Sequence, residues 1–150
     1  MNCIADYAIE IFHDALRQGR YTCYLGPHVR LPMMHIDDCL KSVANFMVIP
    51  PEALPTRTYN VSGTSFTPEE IANEIRKTIP GFQIDYQPDH RQAIAETWPE
   101  VLDDSCAQRD WGWRPDYDLK RMCDTMLNDL RPLYQEDQSM NAEQKKAAMA

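Results

Sequence analysis

Glycine is scarce in this 150-residue chain, and its five glycines are poorly placed for one common purpose. Gly19, Gly26, Gly63, Gly81 and Gly112 make no G-x-G-x-x-G, no G-x-x-G-x-x-G and no P-loop. A dinucleotide pyrophosphate needs glycines where backbone must approach it closely, so no cofactor-binding residues are expected in this chain. Basic charge is also short. Fifteen Lys and Arg face 23 Asp and Glu, a net charge of -8, which excludes a phosphate-backbone binder and any nucleic-acid partner of that kind. No apolar run approaches the roughly 20 residues of a membrane span, and the N-terminus shows no signal or transit peptide. The five cysteines (Cys3, Cys23, Cys39, Cys106, Cys123) are odd in number and lack C-x-x-C spacing. They read as reduced thiols of a soluble intracellular protein, with neither a disulfide framework nor a zinc site. The four histidines have no metal-ligand spacing, so the expectation is no metal.

Catalytic patterns are equally thin. A Tyr-x-x-x-Lys pair works because the lysine lowers the tyrosine pKa and lets the phenolate take a substrate proton. None of the seven tyrosines has Lys four residues on; the nearest pair is Tyr117 with Arg121, at a helix start. No G-x-S-x-G elbow occurs, and no Cys has a family-type nucleophile context. No catalytic residue is assigned. Asp37-Asp38 and Asp103-Asp104 stand just before helices, where N-capping explains them. Trp98, Trp111 and Trp113 read as core or pocket-wall residues, and Met33-Met34 as core fillers.

What the chain does carry is an alternation of helices and strands. Ile4, Ala8, Ile11, Ala15 and Leu16 fall at helical spacing, with Gly19 as the stop. "YTCYL" (21–25) predicts a strand, and "RLPMMHI" an extended run held by Pro32. A helix capped by Asp37 or Asp38 follows, with Leu40, Val43, Ala44 and Met47 inward, ended by Pro50 and Pro51. "RTYNVSG" (57–63) predicts another strand. In "FTPEEIANEIRKTIPG", Thr67 caps, Pro68 takes the first helical position and Glu70 completes a capping box over Ile71, Ile75 and Ile79. "FQIDY" (82–86) alternates as a strand, and "DHRQAIAETW" and "DDSCAQRDWGW" give short helices, the second ending at Gly112. Asp118 caps a last helix bearing Leu119, Met122, Met126, Leu127 and Leu130. The pattern is mixed α/β, with one unit over 1–134 and a polar tail over 135–150 that reads as disordered or as a frayed helix.

Five strings, in order, carry more than these generic patterns: "DYAIEIF", "RLPMMHIDDC", "RTYNVSGTSFTPEEIANEIRK", "RQAIAETWP" and "DDSCAQRDWGWRPDYDL". Together they resemble the C-terminal half of L-threonine 3-dehydrogenases of the short-chain dehydrogenase type, in the extended branch that also holds sugar-nucleotide epimerases and dehydratases. The resemblance covers about residues 4–131. It implies the substrate-binding portion of a Rossmann-type α/β fold whose cofactor half, with the glycine-rich turn and Tyr-x-x-x-Lys, lies outside these residues. It implies oxidation of L-threonine to 2-amino-3-oxobutanoate with NAD as hydride acceptor. Two residues match the family's substrate pocket. Asp6 corresponds to the aspartate of "TTDYA" and would accept hydrogen bonds from the threonine ammonium; Trp98 corresponds to the tryptophan of "SWP" and would wall the pocket against water. Ile4 and Ala5 replace the two threonines before Asp6, which removes two hydroxyls from the pocket edge. Arg30 stands near where sugar-nucleotide relatives meet a diphosphate; with threonine as substrate, a structural ion pair is expected instead. By the same resemblance the compartment is the mitochondrial matrix in a eukaryote and the cytoplasm in a bacterium. The resemblance also implies that this chain alone is inactive. It further implies an exposed apolar face that self-associates or meets a cofactor domain. The competing readings are a non-catalytic fragment that binds a full-length dehydrogenase, and half of a sugar-nucleotide epimerase or reductase.

Overall fold

The computed structural model describes residues 4–148, with side chains to residue 135. Cys3, expected as a reduced thiol, lies outside the described residues.

A 3-10 turn at Ile4–Asp6 leads into α1, Tyr7–Gln18. Gly19 stops α1 in the left-handed region at φ 67°, with its N–H donating to the Ala15 carbonyl, as a glycine C-cap does. β1, Arg20–Cys23, and β2, Leu31–Met33, follow. Next come α2, Ile36–Met47, and β3, Thr64–Phe66. α3, Pro68–Thr78, then β4, Gln83–Tyr86, and α4, His90–Ala95, continue the chain. α5, Ser105–Trp111, and α6, Leu119–Ala148, complete it.

Among the described residues the strands form two separate pairs. β1 and β4 run parallel, Arg20 opposite Gln83 through Cys23 opposite Tyr86. β2 and β3 run antiparallel, Leu31 opposite Phe66 and Met33 opposite Thr64. α1 packs against β1, α3 and α6, and α3 packs against α6. The core between them holds Tyr7, Ile11, Phe12, Tyr21, Leu25 and Ile75, with Met122 and Leu127 from α6. The stripe expected for α1 faces the core. Ile11 and Ala15 are buried, Ile4, Ala8 and Leu16 pack at the edge, and Tyr7 and Phe12 join the innermost layer.

The capping box of α3 is complete: Thr67 Oγ1 accepts from the Glu70 N–H at 3.2 Å, and Glu70 Oε2 accepts from the Thr67 N–H at 2.9 Å. Asp118 Oδ1 accepts from the Arg121 N–H at 2.8 Å at the start of α6, as expected. α6 contains Pro132, which has no N–H for the helical ladder. The helical backbone extends to Ala148, while the side chains of the polar run past 135 lie outside those described.

Three expectations give way. α2 is capped by His35, whose Nδ1 accepts from the Asp37 N–H at 3.2 Å, and not by Asp37 or Asp38. Asp38 is instead buried, and its carboxylate accepts the backbone N–H groups of Asp116 (2.8 Å) and Tyr117 (3.0 Å). α2 is therefore turned with Asp38 and Ser42 inward, and the side presumed inner faces out. Leu40 is 61% exposed, Val43 53% and Met47 78%, and Ala44 is exposed too. Finally, 57–63 pairs with no strand among the described residues; pairing begins only at Thr64. The β-forming side chains are there, but no neighbouring strand supplies the ladder. The run is held by other contacts: Asp104 accepts from the Ser62 N–H at 3.3 Å, and the Trp113 indole donates to the Ser62 carbonyl at 2.9 Å. At Gly63 a Cβ would lie 2.7 Å from the Met33 carbonyl oxygen, so only glycine lets β2 and β3 approach there.

Candidate active site

The loop after β1 and the end of α4 enclose a cavity of about 350 Å³. Gly26, His28 and Arg30 line one side, and Gln92, Glu96 and Trp98 the other. α4 is set in place by Asp89, whose Oδ1 accepts from the Arg91 N–H at 2.8 Å. The helix is tied to the loop by Gln92, whose Oε1 accepts from the Gly26 N–H at 2.8 Å and whose Nε2 donates to Glu96 at 2.7 Å. Trp98 stands at the cavity rim, 41% exposed. An indole in that position gives a small polar substrate an apolar wall and reduces its contact with water.

Asp6 is not in the wall of this cavity. It occupies the N-cap position of α1, where its side chain makes no capping hydrogen bond. Its negative charge acts on Tyr24, whose hydroxyl donates to the Ile4 carbonyl at 3.3 Å and whose ring lies 3.2 Å beneath the Arg91 guanidinium. The 3-10 turn bearing Asp6 packs against α4, the helix whose Arg91 stacks on Tyr24. Gln92, which organises the cavity, carries no sequence pattern that marks it; its role depends on α4 meeting a loop 66 residues earlier.

Arg30 makes the structural pair expected of it. One guanidinium nitrogen donates to the Ser65 carbonyl at 2.7 Å and another pairs with Glu70. Burial works against the Glu70 charge, but the bonds from Arg30 and the Thr67 N–H outweigh it and hold the carboxyl below its usual range. Arg30 therefore has its charge satisfied inside the fold. That leaves little for a diphosphate.

Tyr7, Tyr21, Tyr24, Tyr86 and Tyr117 are all shifted away from what a base needs. Burial pushes Tyr24 up to about 12, and Tyr7, Tyr21 and Tyr86 upward too. Tyr117 donates to Asp37 at 2.8 Å, which raises its pKa, and Arg121 sits 4.5 Å above its ring without reversing that. A phenolate base needs the opposite shift. The glycines likewise do not make a pyrophosphate cradle. Gly19 and Gly112 are helix caps, Gly63 sits against Met33, and Gly26 faces the Gln92 side chain. Among the described residues no glycine turn is arranged to cradle a dinucleotide pyrophosphate. Among the described residues no cluster of His, Cys, Asp or Glu is arranged to hold a metal, and no helix is long and apolar enough to cross a membrane.

No family model matches the chain. Individual proteins do. A solved L-threonine dehydrogenase from Phytophthora infestans superimposes with a TM-score of 0.84 at 50% identity, over 87% of this chain and 43% of that one. The fold is thus α/β, with mixed short strands and helices, and matches part of the Rossmann-type fold of the solved L-threonine dehydrogenases. The pig mitochondrial L-threonine 3-dehydrogenase is 56% identical over 124 residues, 82% of this chain and 33% of the pig protein. An uncharacterized epimerase/dehydratase of Staphylococcus haemolyticus is 44% identical over 124 residues, 39% of its length. By sequence and fold this chain is related to the L-threonine 3-dehydrogenases and their epimerase/dehydratase-like kin. It spans about a third of the length of the curated dehydrogenases it matches.

Proposed function

We propose that this chain supplies the substrate side of an L-threonine dehydrogenase. There the β-hydroxyl of threonine is oxidised to give 2-amino-3-oxobutanoate and the hydride passes to NAD. The observation that carries this reading is the 56% identity over 124 residues to a threonine dehydrogenase, which includes the segment bearing Trp98. Trp98 walls the amino acid against water. Asp6, at a helix N-terminus next to the Tyr24–Arg91 stack, offers a carboxylate to the substrate ammonium. NAD and the proton-accepting tyrosine come from outside these residues, so the chain alone gives no turnover. The sugar-nucleotide alternative is disfavoured by Arg30, whose guanidinium is committed to Glu70 and Ser65.

Titration of the labelled chain with L-threonine, followed by ¹H–¹⁵N NMR, tests the reading. The Trp98 indole and the Gly26 and Gln92 amides shift while the Trp113 indole, bonded inside the fold, does not. Unmoved Trp98 signals at about 10 mM threonine, well above a millimolar dissociation constant, would contradict it. A shift produced only by a nucleoside diphosphate sugar would favour the epimerase reading.

A further inference from the structure

The loop between β1 and β2 forms one wall of the cavity of about 350 Å³, and it is held from two sides. On the α3 side the Glu69 N–H donates to the Pro27 carbonyl at 3.1 Å, and Arg30 is tied to Ser65 and Glu70. On the α4 side the Asp89 N–H donates to the Tyr24 carbonyl at 3.2 Å, at the root of the loop. Three residues on, Gln92 crosses to Gly26. Its Oε1 accepts from the Gly26 N–H at 2.8 Å, and its Nε2 donates to Glu96 Oε1 at 2.7 Å. Glu96 closes α4, and the chain then turns so that the Trp98 N–H donates to the Ala95 carbonyl at 3.1 Å. The Gln92 carboxamide therefore links the loop wall to the wall that carries Trp98. The link needs an acceptor facing Gly26 and a donor facing Glu96. A carboxamide supplies both. A carboxylate on the same stem would accept from Gly26 but repel Glu96, and a thioether would do neither.

We propose that Gln92 is the positioning residue of this cavity: it fixes the span between the 26–30 loop and the Trp98 wall, and so sets the affinity for threonine. This inference rests on the substrate-side reading above and deepens it. Gln92 acts through Gly26 and Glu96 and touches no reacting atom. With the link formed, the indole and the loop face each other across a gap already shaped for a small amino acid, so binding does not have to order either wall. With the link broken, the loop keeps its hold on α3 but loses its tie to the middle of α4. The open and closed arrangements then share the population, and the apparent affinity falls by the fraction that is closed. The Gly26 N–H is also left without its partner, which favours a shifted loop.

The test is titration of the whole chain with L-threonine to about 100 mM, followed at the Trp98 indole by ¹H–¹⁵N NMR, in the native sequence and in variants. Gln92→Glu is expected to weaken binding roughly tenfold. Adding Glu96→Gln restores the affinity to within about twofold, because carboxylate and carboxamide have then exchanged places and the same two bonds form. A residue that merely packs would show no such rescue. The Trp113 indole, bonded to Ser62 and outside the cavity lining, reports folding in the same spectra. Should Gln92→Glu not fold, Gln92→Met repeats the test at similar length without a new charge, with the same roughly tenfold loss expected. A native threonine response that is indifferent to both Gln92 variants overturns this inference alone, as does a weakened Gln92→Glu that the second substitution fails to rescue. A native chain with no threonine response contradicts the substrate-side reading and this inference with it.

Discussion

Asp38 shows how one side chain is settled by partners that sequence spacing does not reveal. Two acidic residues before a helix look like caps, but His35 takes that role and Asp38 turns inward to hold the Asp116–Tyr117 backbone. Bonds to a buried charge are the stronger ones, and their loss leaves two N–H groups unpaired. Asp38→Ala is therefore expected to cost about 3 kcal/mol in denaturant unfolding, while Asp37→Ala costs less than about 1 kcal/mol. Similar destabilisation by the two would contradict this division. The cysteines give a second residue-scale expectation. Burial pushes Cys23 up to about 11 and Cys123 up to about 12, whereas Cys39 and Cys106 are exposed. The thiolate is the reactive form, so iodoacetamide at neutral pH should label Cys39 and Cys106 in the native protein. Cys23 and Cys123 should be labelled only on unfolding, as read by peptide mass mapping. Trp98 lines the cavity that Gln92 ties together. Gln92 was not legible in the sequence, because its meaning lies in a contact across 66 residues.

At the scale of elements, the helices with complete local signals are the ones the sequence specified correctly. α3 has its cap, its proline, its glutamate and its isoleucine stripe within 13 residues, and all of them form. Thr67→Ala should lower stability by about 1 kcal/mol. Glu70 adds a pH dependence. Its folded pKa is depressed, so its contribution is present above the ordinary glutamate pKa and is lost as pH falls through the lower folded value. Stability should thus decline below about pH 4.5, and Glu70→Gln should flatten that decline. An unchanged acid limb in the variant would show that the Arg30–Glu70 pair is not what holds the carboxylate charged. The failures have a common cause. α2 and the 57–63 run have correct local patterns, an amphipathic stripe and a β-forming string, but their expected orientation and pairing depended on neighbours. Period tells which residues share a face; only tertiary packing tells which face is buried.

The whole molecule combines a well-formed core under α1, α3 and α6 with a side that is apolar and uncovered along α2. Gly19 caps α1, Gly63 sits against Met33, and Tyr117 donates to Asp37. The direct measurement is a chimera: a working L-threonine dehydrogenase in which the matching 124 residues are replaced by those of this chain. The account predicts threonine-dependent NADH formation, with kcat/KM reduced roughly tenfold or more by Trp98→Ala and NAD affinity unchanged. A folded chimera that binds NAD but forms no NADH from threonine would contradict it.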